Sequence, residues 1–276
     1  MFRMPESGTP KIAVAAREPV LLVTLARPDA HNALDHEMVL ALRDLFQGLA
    51  DADPAERPHA VVLRAEGRTF CAGGDLNDMR RLGAADFAEN LDRARELGEM
   101  FRAVRLCPVP VVARVQGPAF GGGVGLICSC DLTVGADHVQ LALTEARLGL
   151  VAGVISPMVI DRVGLARARM LSLLGDRIDA TEAHRIGLLD VITPAAGLDA
   201  AVERTVRSLL KGGPRALGRV KELMEGAAAL PLAESLEFTA RMIAEARTTE
   251  EAQAALQAFF AREPAPWAVH ADEWEL

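Results

Sequence analysis

The sequence predicts an α/β fold with helices around a mainly parallel sheet, and three observations lead to that prediction. The chain has 276 residues, 50% hydrophobic and 25% charged, which is typical of a folded domain and not of a disordered chain. Short apolar runs alternate with amphipathic helical patterns in the first part of the chain. Strands that alternate with helices pair in parallel through crossovers. From about Ser156 onward the pattern is mostly helical.

The first elements are a strand, a helix and a second strand. The run 20–25 (VLLVTL) is apolar throughout and predicts a strand. A second buried strand is predicted at 60–65 (AVVLRA), and it runs into a glycine-bearing loop at 67–74. Between the two strands, apolar residues recur at the 3.6-residue spacing of an amphipathic helix. These residues are Leu34, Met38, Leu42, Leu45, Phe46 and Leu49.

The next elements repeat this order. A polar helical pattern covers residues 87–106 and is closed by Cys107-Pro108. A strand is predicted at 109–115 (VPVVARV), followed by a second glycine-rich segment that ends in Gly121-Gly122-Gly123. The apolar run 124–130 and a short strand at 132–134 complete the predicted core.

Helix starts are marked along the second half of the chain. Ser156-Pro157 predicts a capping hydroxyl followed by proline at the first helical position. Residues 179–182 (DATE) and Gly213-Pro214 mark two later starts. The tail from 232 to 262 has helical periodicity that is interrupted near Thr248-Thr249.

Composition and spacing argue against several classes of protein. Lys plus Arg is 30 and Asp plus Glu is 38, a formal charge of −8, which disfavours a broad nucleic-acid surface. No apolar run approaches the ~20 residues of a membrane span, and no signal or transit pattern is present. The 4 cysteines and 6 histidines follow no metal-ligand spacing. We therefore expect a cytoplasmic protein with reduced cysteines and with no metal, nucleic-acid or membrane partner.

Two glycine-rich loops stand out, at 71–76 and at 120–123. They match neither a dinucleotide fingerprint nor a P-loop, because the glycine and lysine spacings are wrong. Glycine permits positive φ and lets another group approach the backbone. Each loop leads into a helical pattern, so two backbone N–H donors could meet at one oxygen as an oxyanion hole. Tight turns packed beneath helices explain the same glycines, and spacing alone slightly favours them.

Short motifs recur in a fixed order over about residues 10 to 267. They are 25–28 with 32–34, 70–76, 110–113, 117–123 with 130–131, 143–150, 174–178 with 183 and 187–189, and 258–260. Each motif is weak alone. In combination they resemble the enoyl-CoA hydratase/isomerase (crotonase) superfamily with high specificity.

The resemblance implies a crotonase-like spiral of ββα units with a C-terminal helical region. Residues 1–195 would form the spiral core with the CoA and active sites, and 196–276 the helical oligomerisation region. The implied assembly is a homo-oligomer, either a trimer or a dimer of trimers. The implied substrate is an acyl-CoA thioester, so CoA belongs to the substrate and no separate cofactor is expected.

The resemblance also assigns roles to residues of this chain. The oxyanion donors would be the backbone N–H groups of Gly74 and Gly122. The other substrate or CoA contacts fall on Ala30, His31, Asp75, Leu76, Gly121, Gly125, Phe259 and Arg262. In the family, the positions of Phe259 and Arg262 reach the adenine end of CoA in a neighbouring subunit. Arg262 also suits a phosphate on charge grounds.

The catalytic carboxylates are the main departure from the family pattern. Family hydratases commonly use two glutamates, and here the first position is Gly125 while the second is Glu145. The apolar neighbours of Glu145 predict a raised pKa, which suits a general base. Gly125 predicts room beside the reacting carbons for a branched acyl group. Asp75, or a hydroxyl near Ser129, remains an alternative source for the missing acid.

One carboxylate can serve two reactions. Hydration of a 2-enoyl-CoA needs a proton taken from water and returned to C2, and a double-bond shift needs a proton moved from C2 to C4. We favour hydration, because the segments 120–126, 144–150 and 155–157 resemble methylglutaconyl-CoA-type hydratases, enzymes of branched amino-acid and terpenoid breakdown. Arg147 fits a surface or packing role better than a contact with a substrate carboxylate.

Alternatives to a hydratase remain open at this stage. An enoyl-CoA isomerase is the nearest, followed by decarboxylase or thioesterase variants of the fold. A non-catalytic scaffold or RNA-binding member is disfavoured by the −8 charge and by the presence of Glu145 with both glycine loops.

Overall fold

The strands of the molecule form from short β-branched and aliphatic runs. The computed structural model describes residues 11–269 and 271–276. Its strands are β1 (Ile12–Arg17), β2 (Val20–Leu25), β3 (Ala60–Ala65), β4 (Val111–Val115), β5 (Ala119–Phe120), β6 (Leu132–Ala136), β7 (Gln140–Ala142), β8 (Ile178–Asp179) and β9 (Val191–Thr193). Most of these runs begin or end next to a proline or a charged residue that interrupts the β pattern.

Eleven α-helices accompany the strands in the described residues. They are α1 (His36–Asp51), α2 (Leu76–Gly83), α3 (Phe87–Arg105), α4 (Gly122–Ser129), α5 (Ser156–Val163), α6 (Leu165–Leu174), α7 (Ala180–Arg185), α8 (Leu198–Leu210), α9 (Pro214–Ala229), α10 (Leu232–Arg247) and α11 (Glu250–Ala261). None of the described helices is long and apolar enough to cross a membrane.

The main sheet has six strands in the order β1-β2-β3-β4-β6-β9. Only the β1–β2 pair is antiparallel, and the other neighbours are parallel, with Val23 paired to Leu63 and Leu63 to Ala113. All six residues of β2 are buried, as expected of a parallel strand covered on both faces. A second sheet has the order β5-β7-β8. The predicted α/β class is therefore confirmed.

Local signals placed several elements correctly. The strands predicted at 20–25 and 60–65 occur with those bounds. The helix predicted from Leu34 begins at His36, because Asp35 accepts a hydrogen bond from Met38 N and caps it. The interruption predicted near Thr248 is confirmed, since α10 ends at Arg247 and Thr249 caps α11.

The capping role predicted for Ser156 is wrong. Helix α5 does begin at Ser156, but the residue that precedes it, Ile155, occupies the N-cap position. The Ser156 hydroxyl donates to the carbonyl of Ala152 instead of accepting from the helix. Pro157 therefore lies in the second helical position and still fits the first turn, where no N–H is needed.

The four C-terminal helices differ in how they pack. Helix α8 buries Leu198, Ala201, Val202, Val206 and Leu210. Helices α9, α10 and α11 bury no residue in this single chain, although all three are amphipathic in sequence. The boundary near residue 195 stays a prediction.

Candidate active site

Three loops meet at the carboxyl end of the main sheet. They follow β2, β3 and β4, which lie side by side and run in parallel. Leu34 of the first loop forms a parallel bridge with Gly74 of the second. Cys71 of the second loop bridges Ala119, just beyond the third. Backbone hydrogen bonds therefore join the three loops at the edge where ligands of parallel sheets commonly bind.

The two glycine-rich loops touch each other. Gly73 has a positive φ of +94°, and a Cβ there would lie 2.9 Å from Phe120 O and 3.6 Å from Gly122 N. A side chain at Gly73 would therefore force the loops apart, in addition to straining the backbone. Gly73 therefore serves both purposes expected of these glycines: it adopts a positive φ in a tight turn, and it lets the second loop approach its backbone.

The N–H groups of Gly74 and Gly122 have no protein acceptor among the described residues. Gly122 is the first residue of α4, and first-turn N–H groups have no partner within their helix. The peptides on either side of Gly74 are held by Leu34, whose N–H donates to Gly73 O over 2.7 Å and whose carbonyl accepts from Asp75 N over 3.0 Å. Two unpaired donors thus lie on adjoining loops.

Glu145 lies against the start of α4. It begins a 3-10 turn (Glu145–Leu148) that follows β7. A Cβ on Gly121 would lie 2.9 Å from Glu145 Oε1, so only glycine leaves space for this carboxylate. The other oxygen, Oε2, is buried without a hydrogen-bond partner in the structure. Burial raises the pKa of Glu145, and a hydrogen bond to its own backbone opposes that rise.

The space predicted beside Gly125 is not open. A Cβ on Gly125 would collide with Ile155 Cγ2 and would lie 3.0 Å from Phe101 Cε1. Both side chains are buried, with exposed fractions of 3% for Ile155 and 0% for Phe101. The expectation that Gly125 leaves room for a branched acyl group is therefore wrong, because Ile155 and Phe101 fill that room.

Neither alternative source of the missing acid fits the geometry. The Asp75 carboxylate caps α2 by accepting from Asn77 N and Asp78 N, and it pairs with Arg27 over 3.0 Å. Burial by itself raises the pKa of Asp75. The hydrogen bonds and the charge of Arg27 outweigh it and lower the pKa below its ordinary value, so the group stays ionised. The Ser129 hydroxyl donates to Gly125 O over 2.8 Å and is buried within α4.

The predicted CoA contacts lie on the same loops or on the tail. Ala30 and His31 follow β2, and His31 Nδ1 lies 3.1 Å from Thr69 Oγ1. Leu76, at the start of α2, is 74% exposed beside Gly74. Phe259 is also 74% exposed on α11. Their roles in CoA binding, with that of Arg262, stay predictions.

Arg147 is engaged by the protein itself. Its guanidinium forms an ion pair with Asp176 and donates to Leu174 O. A Cβ on Gly175 would lie 3.0 Å from Arg147 Nε, so the loop after α6 is built around this side chain. These contacts agree with the packing role favoured from the sequence.

The sequence does not reveal the role of two residues that close the space beside the site. Phe101 lies on α3 and Ile155 precedes α5, and both contact α4 only after the chain has folded. Each appears in sequence as an ordinary apolar position of a helical region. No local signal distinguishes such a residue from any other core side chain.

A large cavity in the described structure lies elsewhere. It has a volume of about 1210 Å³ and is lined by residues from 53–59, 105–109 and the helices α9 and α11. The two loops precede β3 and β4, so the cavity lies at the opposite end of those strands from Glu145. The described residues contain no cluster of three or more His, Cys, Asp or Glu suited to a metal ion.

Comparison with known families gives one match over nearly the whole chain. The family model described as enoyl-CoA hydratase/isomerase matches residues 15–270.

Named relatives and solved structures agree with that family. A putative enoyl-CoA hydratase of Thermus thermophilus is 34% identical over 245 residues, 89% of this chain and 96% of that protein. An enoyl-CoA isomerase/hydratase of Mycosarcoma maydis is 29% identical over 78% of this chain and 80% of its own. The structure of Pseudomonas aeruginosa AtuE superposes with a TM-score of 0.89 at 34% identity, covering 94% of this chain and 99% of that one.

Proposed function

The chain belongs to the enoyl-CoA hydratase/isomerase family, and from that premise we propose that it adds water to a 2-enoyl-CoA. Glu145 is the single acid–base group in this proposal, and the N–H groups of Gly74 and Gly122 bind the thioester oxygen. The observation that carries the proposal is the contact between Glu145 and Gly121. It brings a half-buried carboxylate to the first turn of α4, where the unpaired N–H of Gly122 lies.

The reaction balances with these groups alone. The Glu145 carboxylate takes a proton from water while the water oxygen bonds to C3 of the substrate. The electrons of the C2–C3 double bond move toward the thioester, whose oxygen becomes negative and accepts from the two N–H donors. Protonated Glu145 then returns its proton to C2, so the net change is addition of one water molecule.

The magnitudes suit a one-carboxylate site. A positioned general base contributes roughly 10²–10⁴ in rate. Each oxyanion donor contributes about 3 kcal/mol of transition-state stabilisation. A raised pKa makes the Glu145 carboxylate a stronger base than an exposed glutamate.

A second candidate activity is isomerisation of a 3-enoyl-CoA to the 2-enoyl form. It is favoured by Ile155, which fills the position beside Gly125 and leaves Glu145 without a second acid there. Glu145 would remove a proton from C2 and return it to C4 through a dienolate held by the same two donors. One relative of this chain carries both activities in its name.

A substrate panel separates the two reactions. We expect crotonyl-CoA to be hydrated and 3-hexenoyl-CoA to be converted more slowly or not at all, as followed by chromatography of the CoA products. The Glu145→Gln variant should lose roughly 10²–10⁴ in rate on either substrate. Glu182→Gln, which changes a glutamate paired with Arg185, is the control and should keep the wild-type rate.

Each outcome of the panel has a definite meaning. Conversion of 3-hexenoyl-CoA alone would establish the isomerase. Wild-type rates in Glu145→Gln would show that another group is the base. Including 3-methylglutaconyl-CoA tests the methylglutaconyl-type resemblance, which the filled space beside Gly125 makes less favourable for a branched chain.

We further propose that the active protein is a homo-oligomer, a trimer or a dimer of trimers. Helices α9, α10 and α11 expose apolar side chains that a single chain leaves uncovered: Val220, Met224, Leu232, Leu236, Ile243, Leu256, Phe259 and Phe260. Sedimentation equilibrium should give three or six times the 29.5 kDa chain mass, and a monomer would contradict the proposal. A scaffold or RNA-binding protein, by contrast, would not bind CoA. The cytoplasmic location expected from the sequence stays a prediction.

A further inference from the structure

The direction of the Gly74 N–H is set by a neighbouring peptide. The Gly73–Gly74 peptide is planar and trans, so its C=O and its N–H point in opposite directions. The C=O of that peptide is held by Leu34 N at 2.7 Å. Whatever fixes the backbone of Leu34 therefore also aims the N–H of Gly74.

Arg27 spans both sides of this contact. Its Nη1 donates to Ala33 O over 2.5 Å, on the residue before Leu34. Its Nη2 donates to Asp75 Oδ2 over 3.0 Å, on the residue after Gly74. Nη1 also lies 3.2 Å from Asp35 Oδ2, so the planar guanidinium ties the loop after β2 to the loop after β3.

The loop that Arg27 holds has an unusual backbone. His31 and Asn32 have positive φ values of 52° and 53°, which cost free energy for residues with a side chain. The fully buried Asn32 side chain compensates by accepting from Arg27 N and by donating to Glu66 O and Thr69 O, at 2.8–2.9 Å. The hydrogen bonds of the Asn32 side chain and those of the Arg27 guanidinium therefore both stabilise the strained loop.

We propose that Arg27 is a positioning residue, whose guanidinium, bridging Ala33 O and Asp75, holds the Gly74 N–H in line with the thioester oxygen. This inference rests on the proposed function, because it presumes that Gly74 is an oxyanion donor. Arg27 does not contact the substrate. It acts through Leu34 and Asp75, and its removal changes the aim of a donor without removing the donor.

The expected signature is a loss in kcat with little change in KM. A donor displaced by about 1 Å can cost roughly 10²-fold in rate. We expect Arg27→Lys to lower kcat by about 10- to 100-fold, because an ammonium cannot bridge two acceptors as a planar fork does. KM should stay within about 3-fold, since ground-state binding uses other contacts.

A second variant approaches the same bridge from its other end. Asp75→Asn keeps a side chain that caps α2 well but loses the ion pair to Arg27. We expect its kcat to fall in the same range. The double variant should lose little more than the worse single variant, because the two changes break one interaction. Arg43→Gln, which alters an arginine paired with Asp44 on α1, is the matched control.

Ligand binding gives a readout that a merely structural role would not share. Calorimetry should show that Arg27→Lys weakens binding of acetoacetyl-CoA, as its enolate, by about 10- to 100-fold. Binding of CoA itself, which has no thioester oxygen, should change by less than about 3-fold. Equal weakening of both ligands with a lowered Tm, or an unchanged kcat in both variants, would overturn the inference. Wild-type protein that binds neither ligand would instead contradict the proposed function.

Discussion

Two glycines at the start of helix α4 face different neighbours: Gly121, its N-cap, and Gly125, one turn later. Gly121 faces the carboxylate of Glu145, whereas Gly125 faces the methyl groups of Ile155 and the ring of Phe101. Four residues separate them, which is about 6 Å along a helix. Both positions exclude a side chain, but Gly121 does so in favour of a catalytic candidate and Gly125 in favour of core packing. The same residue type therefore leaves space for a candidate catalytic group at the N-cap and for core side chains one turn later.

The largest effect is expected from placing a carboxylate at Gly125, where Ile155 and Phe101 fill the space. We expect Gly125→Glu to lower the free energy of unfolding by about 3 kcal/mol or more, because the side chain collides with Ile155 and brings a charge into the core. Urea unfolding measures this change. Gly83→Glu, at a helical glycine with open space around it, should change stability far less.

A double variant sharpens the same comparison. Gly125→Glu with Ile155→Ala removes the colliding side chain and should recover part of the lost stability. It would also place a second carboxylate one helical turn from Gly121, the glycine that faces Glu145. If the single variant were as stable as wild type, Ile155 would not occupy the space that the structure gives it.

The next largest effect is expected from adding a methyl group at Gly121, the glycine that faces Glu145. Gly121→Ala should cost about 2 kcal/mol of stability, since Gly121 has a φ of +48°. It should also lower kcat by roughly 10²-fold, because the new Cβ would displace Glu145 Oε1. Gly164→Ala is the control, as Gly164 has a φ of +78° with no atom near its Cβ. It should lose stability but keep activity, and equal activity losses in both variants would refute the contact with Glu145.

The smallest expected effect is a pH dependence that belongs to Glu145 alone. Because burial raises the pKa of Glu145, kcat/KM should fall with decreasing pH at a value above the ordinary 4.5 of glutamate. The raised pKa also means that the folded state binds this proton more tightly than the unfolded state does. The stability that this proton provides is then present at low pH and lost as the pH rises through the folded-state pKa.

The stability of Glu145→Gln tests that reasoning. Relative to this variant, the wild type should lose stability as the pH rises above 4.5, because only the wild type must ionise a half-buried carboxyl group. Urea unfolding at several pH values measures the difference. Parallel stability curves for the two proteins would show that the pKa of Glu145 is not raised.

The fold could be predicted from local patterns where burial depends on adjacent residues. Strands β2 and β3 appear in sequence as unbroken apolar runs because they are covered on both faces. Strands β5 and β8 have 2 residues each, which is too short for any periodic signal. Ser156-Pro157 does not reveal the N-cap of α5, because Ile155 takes that position and the Ser156 hydroxyl donates to Ala152 O in the preceding turn.

The sequence by itself determined the α/β class and the two glycine loops, because both depend on residue type and spacing along the chain. Its resemblance to a known family indicated Glu145 as the candidate base. Only the tertiary structure decided that Ile155 and Phe101 fill the space beside Gly125, and that Arg27 joins Ala33 to Asp75. Gly125 lies 24 residues from Phe101 and 30 from Ile155, and Arg27 lies 48 residues from Asp75. Such pairings depend on how the loops and helices pack in three dimensions, and no local pattern of hydrophobicity or charge encodes that packing.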